Sequence, residues 1–349
     1  MSGVEYTEID RLVERYWEKH YFRQAAYAVF DRERILFQNA VGGSGADAVF
    51  DLASLTKLYT TTILLSYIEA GRISLEGALC EYLEPPSGME KIRKCFGQIT
   101  VRQLLTHTSG LMAWYPFYAE KAEFYEILEK ILELPLRQDQ MVYSDLNYML
   151  LGMVVEKVSG RTLPEAVEKH IRKPLGMERL CYCAGQKHPE WKIVTSSYGN
   201  EPEERMCRER GIVFEGFRPH GAAVCGEAND GNCWYYFGGV SGHAGLFSDL
   251  AGVCRLGMFY LNAQGKIFAE AQWEAGHSRG LGFQRGAMYP DGCGHTGYTG
   301  TSLYISAEHG LGAVLLTNRL TCGEGGELPD LTELRSEFHR AALLCAGEK

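Results

Sequence analysis

Apolar and polar positions repeat along this chain with two different periods, and the changes of period mark its parts. MSGVEYTEIDRLVERYWEKHYF, residues 1 to 22, spaces apolar residues at helical intervals among charges, which predicts an amphipathic helix. QAAYAVFDRERILFQNAVG, residues 24 to 42, reads as two β-prone runs around the charged turn Asp31-Arg32-Glu33-Arg34, the pattern of an antiparallel hairpin. From Ser54 to about Gly176 helical periodicity dominates, broken at Pro85-Pro86-Ser87-Gly88, around Thr106 to Gly110, and at Pro135. Residues 180 to 240 are rich in Gly, Cys and turn formers with weak periodicity, so they read as long loops. Two β-prone runs follow, HTGYTGTSLYIS (295 to 306) and LGAVLLTNRL (311 to 320), and LTELRSEFHRAALLCA (331 to 346) reads as a further helix.

This order implies that the two ends of the chain share one sheet while the middle folds as a helical second lobe. The expectation is a single α/β domain over residues 1–349. Its α/β lobe would take about 1–53 and 240–349, and a helical and loop-rich lobe about 58–239. A cleft between lobes is the natural place for a site.

Composition narrows the class. With 349 residues, 46% hydrophobic and 23% charged, the chain has material for a sizeable core. A net charge of −9 without a basic patch argues against a nucleic-acid binder, because neutralising phosphates needs clustered Lys and Arg. No apolar run reaches the length of a membrane span, and the charged N-terminal segment lacks the apolar core of a secretory signal. The eleven cysteines are odd in number and scattered without a C-x-x-C pair, which suits a reducing cytosol and small core residues better than disulfides. The expectation is a cytoplasmic protein with no metal, no cofactor, no nucleic acid and no membrane partner, acting on a small molecule.

Candidate chemistry starts in FDLASLTKLYTTTILLSYIEAG, residues 50 to 71, a buried-looking helix with Ser54 and Lys57 three residues apart on one face. Asp51 can cap it and Gly71 can end it, which puts Ser54 in the first turn at the positive end of the helix dipole. A Lys whose charge is disfavoured by burial could accept the serine proton there. Taken alone, the spacing fits a polar helix start with a snorkelling Lys better than a catalytic pair. Two further segments add to it. YSDLNYMLLGMVVEKVSG (143 to 160) puts Tyr143, Ser144 and Asp145 at the start of an apolar helix, and HTGYTG puts His295, Thr296 and Gly297 at the start of a strand.

These three segments, in this order, resemble the serine hydrolase family of class C β-lactamases, DD-peptidases and related esterases, whose pattern is S-x-x-K, Y-x-N, then K-T-G or H-T-G. FDLASLTK, VRQLLTHTSGL (101 to 111), YSDLNYMLLG and GGVSGHAGLFS (238 to 248) extend the likeness over about residues 24 to 320. The resemblance implies an antiparallel sheet flanked by helices. It also implies an acyl-enzyme on Ser54, with Lys57 as its proton partner and Tyr143 as a general base helped by nearby positive charge. The oxyanion hole would use the backbone N–H groups of Ser54 and Tyr298, the latter following His295-Thr296-Gly297. The substrate class is an ester, amide, peptide or β-lactam. The alternative is a non-hydrolytic penicillin-binding or ligand-recognition protein using the same cleft.

Two positions depart from the commoner pattern. Asp145 stands in place of Asn, and its carboxylate, unable to donate when ionised, can pair with Lys57. His295 stands in place of Lys and offers less fixed charge for a substrate carboxylate. If it binds an anion, affinity should rise as pH falls through the imidazole titration. Among other candidates, His107 reads as a loop-holding residue, His243 as mainly structural, and Arg319 as a solvated edge charge rather than a carboxylate anchor. AVCGEANDGNCWYYFGGVSGHAG (223 to 245) fits a binding loop and an ordinary irregular crossing equally.

Overall fold

A computed structural model describes residues 4–138, 140–273, 279–323 and 327–345. Its centre is a five-stranded antiparallel sheet built from both ends of the chain. The strands are β1 (Ala25–Asp31), β2 (Ile35–Val41), β3 (Cys293–Thr296), β4 (Ser302–Ser306) and β5 (Leu311–Thr317), in the order β2-β1-β5-β4-β3. The expected hairpin is present: the Asp31 carboxylate accepts the N–H groups of Glu33 (2.8 Å) and Arg34 (2.9 Å), which closes the turn. β1 then pairs with β5, from Ala25 opposite Thr317 to Asp31 opposite Leu311.

Because the central strands are covered on both faces, they are nearly continuous in apolar residues, and their alternation sorts side chains between two cores. Ala26, Ala28, Phe30, Val314, Leu316, Leu303 and Ile305 enter the large core. Ala25, Tyr27, Val29, Ala313, Leu315 and Tyr304 enter a second one, closed by Ile9 and Val13 of the Val4–Glu18 helix and Leu334 and Phe338 of the Thr332–Leu344 helix. Each fully buried side chain of this size contributes roughly 1.5–3 kcal/mol.

The large core is lined on its far side by three helices, Thr56–Glu69, Asp145–Ser159 and Leu250–Asn262. Every residue from Thr56 to Leu65 is buried, and the helix tolerates its threonines because each hydroxyl has a partner. Thr60 donates to the carbonyl of Gly242 (2.8 Å), Thr61 meets the Tyr148 hydroxyl (3.1 Å), and Thr62 meets that of Tyr260 (2.8 Å). Gly71, at φ +70°, ends the helix as expected. A small antiparallel sheet, with Leu246–Ser248 between Phe50–Asp51 and Leu180–Tyr182, anchors the chain just before Ser54.

Three expectations are corrected. The run 295–306 is two strands, because Gly297 to Thr301 make a tight turn in which Gly297 N–H donates to the Thr301 carbonyl (2.8 Å). The 311–320 run stops as a strand at Thr317. The 180–240 region contains a regular helix, Glu201–Glu209, with only Cys207 buried. Its charged sequence hides it from hydrophobic periodicity, while Pro202 and three glutamates in its first turn favour a helix start. Cysteines 95, 183, 207, 233, 254 and 293 are buried, whereas Cys80 and Cys225 are exposed, so the expectation of core thiols holds for part of the set. Among the described residues, no helix is long and apolar enough to cross a membrane.

Candidate active site

The turn that carries Ser54 is held from several directions. Ala53 has φ +46°, a left-handed conformation that costs of order 1 kcal/mol or more for a residue with a side chain, and its surroundings enforce it. The buried Asp51 carboxylate accepts the Ala53 N–H (2.8 Å) and the Asn229 N–H (2.7 Å). Burial, opposed by these two amides, raises the Asp51 carboxyl to about 6. From the β3–β4 turn, Thr299 donates to the Asp51 carbonyl (2.8 Å) and Thr301 to the Leu52 carbonyl (3.0 Å). Gly297 is required in that turn, since a Cβ there would lie 2.1 Å from the Thr301 hydroxyl and 2.5 Å from the Leu52 carbonyl oxygen.

Lys57 is fully buried behind Ser54. Its Nζ donates to Ser54 Oγ (3.0 Å) and the His243 carbonyl (3.0 Å), and lies 2.7 Å from Asp145 Oδ1. The first two contacts are hydrogen bonds and the third is an ion pair. Burial works against the charge, yet Asp145 and Tyr143 outweigh it and hold the ammonium above the ordinary lysine range. The expectation of a neutral, proton-accepting Lys57 is therefore corrected. The Asp145 pairing that the sequence suggested is present.

Tyr143 precedes the Asp145–Ser159 helix, and its approach is fixed by His107. The His107 ring Nδ1 accepts the Ser144 N–H (3.0 Å) and lies 3.3 Å from the Asn147 amide nitrogen, while its carbonyl accepts the Val142 N–H (2.9 Å). The loop-holding reading of His107 agrees with this geometry. The same ring lies 4.5 Å from that of Tyr143, centroid to centroid. On the other side stands His295, 6.1 Å between ring centroids.

His295 is buried, and its Nδ1 donates to the Thr296 carbonyl (2.8 Å), so the Nε2 lone pair is left without a partner. Burial, with the charges of Arg279 and Lys57, holds its imidazole neutral, well below the ordinary histidine range. The sequence reading that His295 offers less fixed charge than a Lys agrees with this burial.

Ser54, Tyr143, Asp145 and Tyr298 line one cavity of about 330 Å³, and Lys57, His295, Thr296 and Gly297 stand outside its lining. Arg319, expected as an edge charge, instead donates to the Tyr298 carbonyl (2.7 Å) and the Pro329 carbonyl (3.0 Å) and stacks on the Tyr298 ring, steadying that residue. His243 is sealed in, bridging Ser241 Oγ (2.7 Å) and Asp230 Oδ1 (2.9 Å), in keeping with a structural role. The 223–245 stretch contributes Asn229, Asp230 and Ala244 to the cavity wall.

Sequence reasoning missed the opposite wall, where Glu201, Glu203 and Asp230 face the cavity with Trp114, Met206 and Leu328. No Lys, Arg or His is among the described lining residues. Glu203 accepts from the Tyr118 hydroxyl (2.9 Å) and the Gly231 N–H (3.0 Å), and burial, then the Asp230 charge, pushes its carboxyl upward. Nothing in the loop-like sequence around 200 signalled that this wall meets Ser54.

A nucleophile turn and a tyrosine at a helix start meet at one cavity, with a buried lysine three residues on and an H-T-G strand edge behind them, the arrangement of a serine hydrolase. The β-lactamase family model matches residues 9–334, and the chain belongs to that family. It is similar to the N-acetylmuramyl-L-alanine amidase of Bacillus subtilis (strain 168), 31% identical over 78% of this chain and 68% of the relative. Its fold is similar to that of EstCE1, a hydrolase with promiscuous acyltransferase activity (TM-score 0.70, 17% identity, 97% of this chain and 98% of the other). The octameric penicillin-binding protein homologue from Pyrococcus abyssi shares it too (TM-score 0.66, 18% identity, 95% and 76%).

Proposed function

We propose that this serine hydrolase opens an ester or amide through an acyl-enzyme on Ser54, with Tyr143 as the general base. The observation that carries this reading is the ion pairing of Lys57. An ammonium hydrogen-bonded to Ser54 Oγ and the His243 carbonyl and ion-paired with Asp145 has no lone pair with which to take a proton. The group at the cavity that is left for the task is the Tyr143 phenol. In the forward step Ser54 Oγ bonds to the carbonyl carbon as its proton passes to Tyr143, and the backbone N–H groups of Ser54 and Tyr298 receive the oxyanion. Tyr143 then protonates the leaving alcohol or amine. Water, deprotonated by the same phenolate, releases the acid in the second half.

The wall supports a choice among substrates. An acyl donor that carries a carboxylate, as β-lactams and C-terminal D-amino acids do, would be placed beside Glu201 and Asp230 with no Lys, Arg or His among the described lining residues. We infer a neutral or amine-bearing acyl donor of small size, which the 330 Å³ cavity accommodates.

Turnover of a matched panel tests both statements: short neutral nitrophenyl esters, D-aminoacyl nitroanilides with a free amine, and a cephalosporin. The expected outcome is turnover of the first two classes above the third, falling at least ~10³-fold in Ser54→Ala. Activity retained in Ser54→Ala, or stable labelling without turnover, would overturn the hydrolase reading at this site. A cephalosporin turned over best would overturn the substrate choice alone.

A further inference from the structure

Arg279 lies just behind Tyr143 and outside the cavity lining. It is 6% exposed, its guanidinium carbon sits 4.8 Å from the Tyr143 ring centroid, and its Nε and Nη1 are buried without a hydrogen-bond partner. No carboxylate pairs with it among the described residues. An arginine does not escape such a position by losing its proton, and an unpaired buried charge costs several kcal/mol. Such a site makes physical sense when a negative charge forms beside it.

The groups around it limit what that charge can be. His107 and His295 are held neutral by burial. The Tyr289 hydroxyl donates to Gln284 Oε1 (2.7 Å), and the Tyr148 hydroxyl is engaged with Thr61 (3.1 Å), so both phenols are committed inside the core. Tyr143 alone among these neighbours also reaches the cavity. Among the described residues it is faced by Lys57 from the nucleophile helix (5.1 Å to the ring), Asp145 and Tyr148 from the helix that follows it, His107 from the preceding loop, His295 from β3, Tyr289, and Arg279. Lys57 is neutralised by Asp145, which leaves Arg279 as the uncompensated cation at the ring.

We propose that Arg279 is a positioning residue that stabilises the Tyr143 phenolate. It supplies, from outside the three motifs, the second positive charge that a Lys at position 295 would have brought. This rests on the reading of Tyr143 as base. It adds that the base is set by a residue that never touches substrate.

The test is the pH dependence of kcat/KM for a neutral ester in the wild type, Arg279→Met and Arg279→Lys. An opposite charge at this range shifts a titration by roughly one to three units, so the acidic limb should move up by about one to two pH units in Arg279→Met. The alkaline plateau should recover to within a few fold. Arg279→Lys should keep the limb near its wild-type position. A folded Arg279→Met with an unmoved limb, or with the same loss at every pH, overturns the proposal. A second measurement needs no Arg279 variant: the ring-carbon NMR signal of Tyr143, assigned by its disappearance in Tyr143→Phe, should already report phenolate at pH 8. A signal that reports a neutral phenol there also overturns it. If instead Tyr143→Phe keeps full activity while Ser54→Ala loses it, the base assignment itself has failed.

Discussion

Ser54 stands between two polar regions of opposite character. Behind it, Lys57, His107, His295 and Arg279 are buried, two cations and two neutral imidazoles of which Asp145 pairs with Lys57 alone, and Tyr143 reaches from them to the cavity. In front of it, Glu201, Glu203 and Asp230 present carboxylates to an open cavity. The sealed side draws on the segments that carry the family pattern, plus Arg279, and its charges are fixed by burial. The open side comes from a helix and a loop outside that pattern, and its charges answer to solvent and ligand. On the proposed reading the contrast separates what performs the chemistry from what selects the substrate: electrostatics in a dry site are strong and preset, and those at a wet wall are weaker and discriminating.

The largest expected effect tests the sealed side. Lys57→Met removes the cation that holds Ser54 Oγ and adjoins Tyr143, and kcat/KM should drop by ~10²–10⁴-fold, the scale of a lost proton-transfer partner. Near-normal turnover of the neutral ester would show that the sealed charge is not what activates the serine.

Next comes stability. Asp145→Asn leaves Lys57 without its counter-charge, and urea unfolding at pH 7 should show a loss of about 3 kcal/mol, the low end for a broken buried pair, because the Asp145 side chain keeps 18% exposure. Since Lys57 is held above its ordinary range, its contribution is complete at neutral pH and is lost as pH rises through the alkaline lysine titration. Unchanged stability in Asp145→Asn would mean that the Lys57 charge is compensated elsewhere.

The smallest effect belongs to the open side. Glu203→Gln should reduce the preference for an amine-bearing over a neutral acyl donor by about five-fold, corresponding to ~1 kcal/mol for a partly solvated charge contact. Because burial and Asp230 push the Glu203 carboxyl upward, the wild-type preference should grow between pH 6 and 9 as that carboxyl ionises. A ratio that is flat with pH and indifferent to the substitution would detach the acidic wall from recognition.

Much of the site was legible because it is local. Ser54, in the single turn Ala53–Leu55, meets Lys57 in the first turn of the helix that follows, Tyr143 and Asp145 stand at a helix start, and Gly297 is forced by backbone proximity, all of which leave marks a few residues long. The Glu201–Glu209 helix left no such mark, since its stabilisation comes from charge at its first turn rather than an apolar stripe. Arg279 stood outside any motif for a related reason: its role comes from the ring it covers, and that ring is 136 positions away.

By itself the amino-acid order determined the paired ends of the sheet, the nucleophile helix and the identities of the reacting groups, because hydrophobic period and helix spacing act between near neighbours. Only the tertiary structure decided their surroundings: that Lys57 is a buried cation paired with Asp145, that His295 is sealed beside Arg279 and Lys57, and that Glu201, Glu203 and Asp230 line the cavity. Protonation depends on burial and on which distant groups are brought close, and neither quantity exists until the chain has folded.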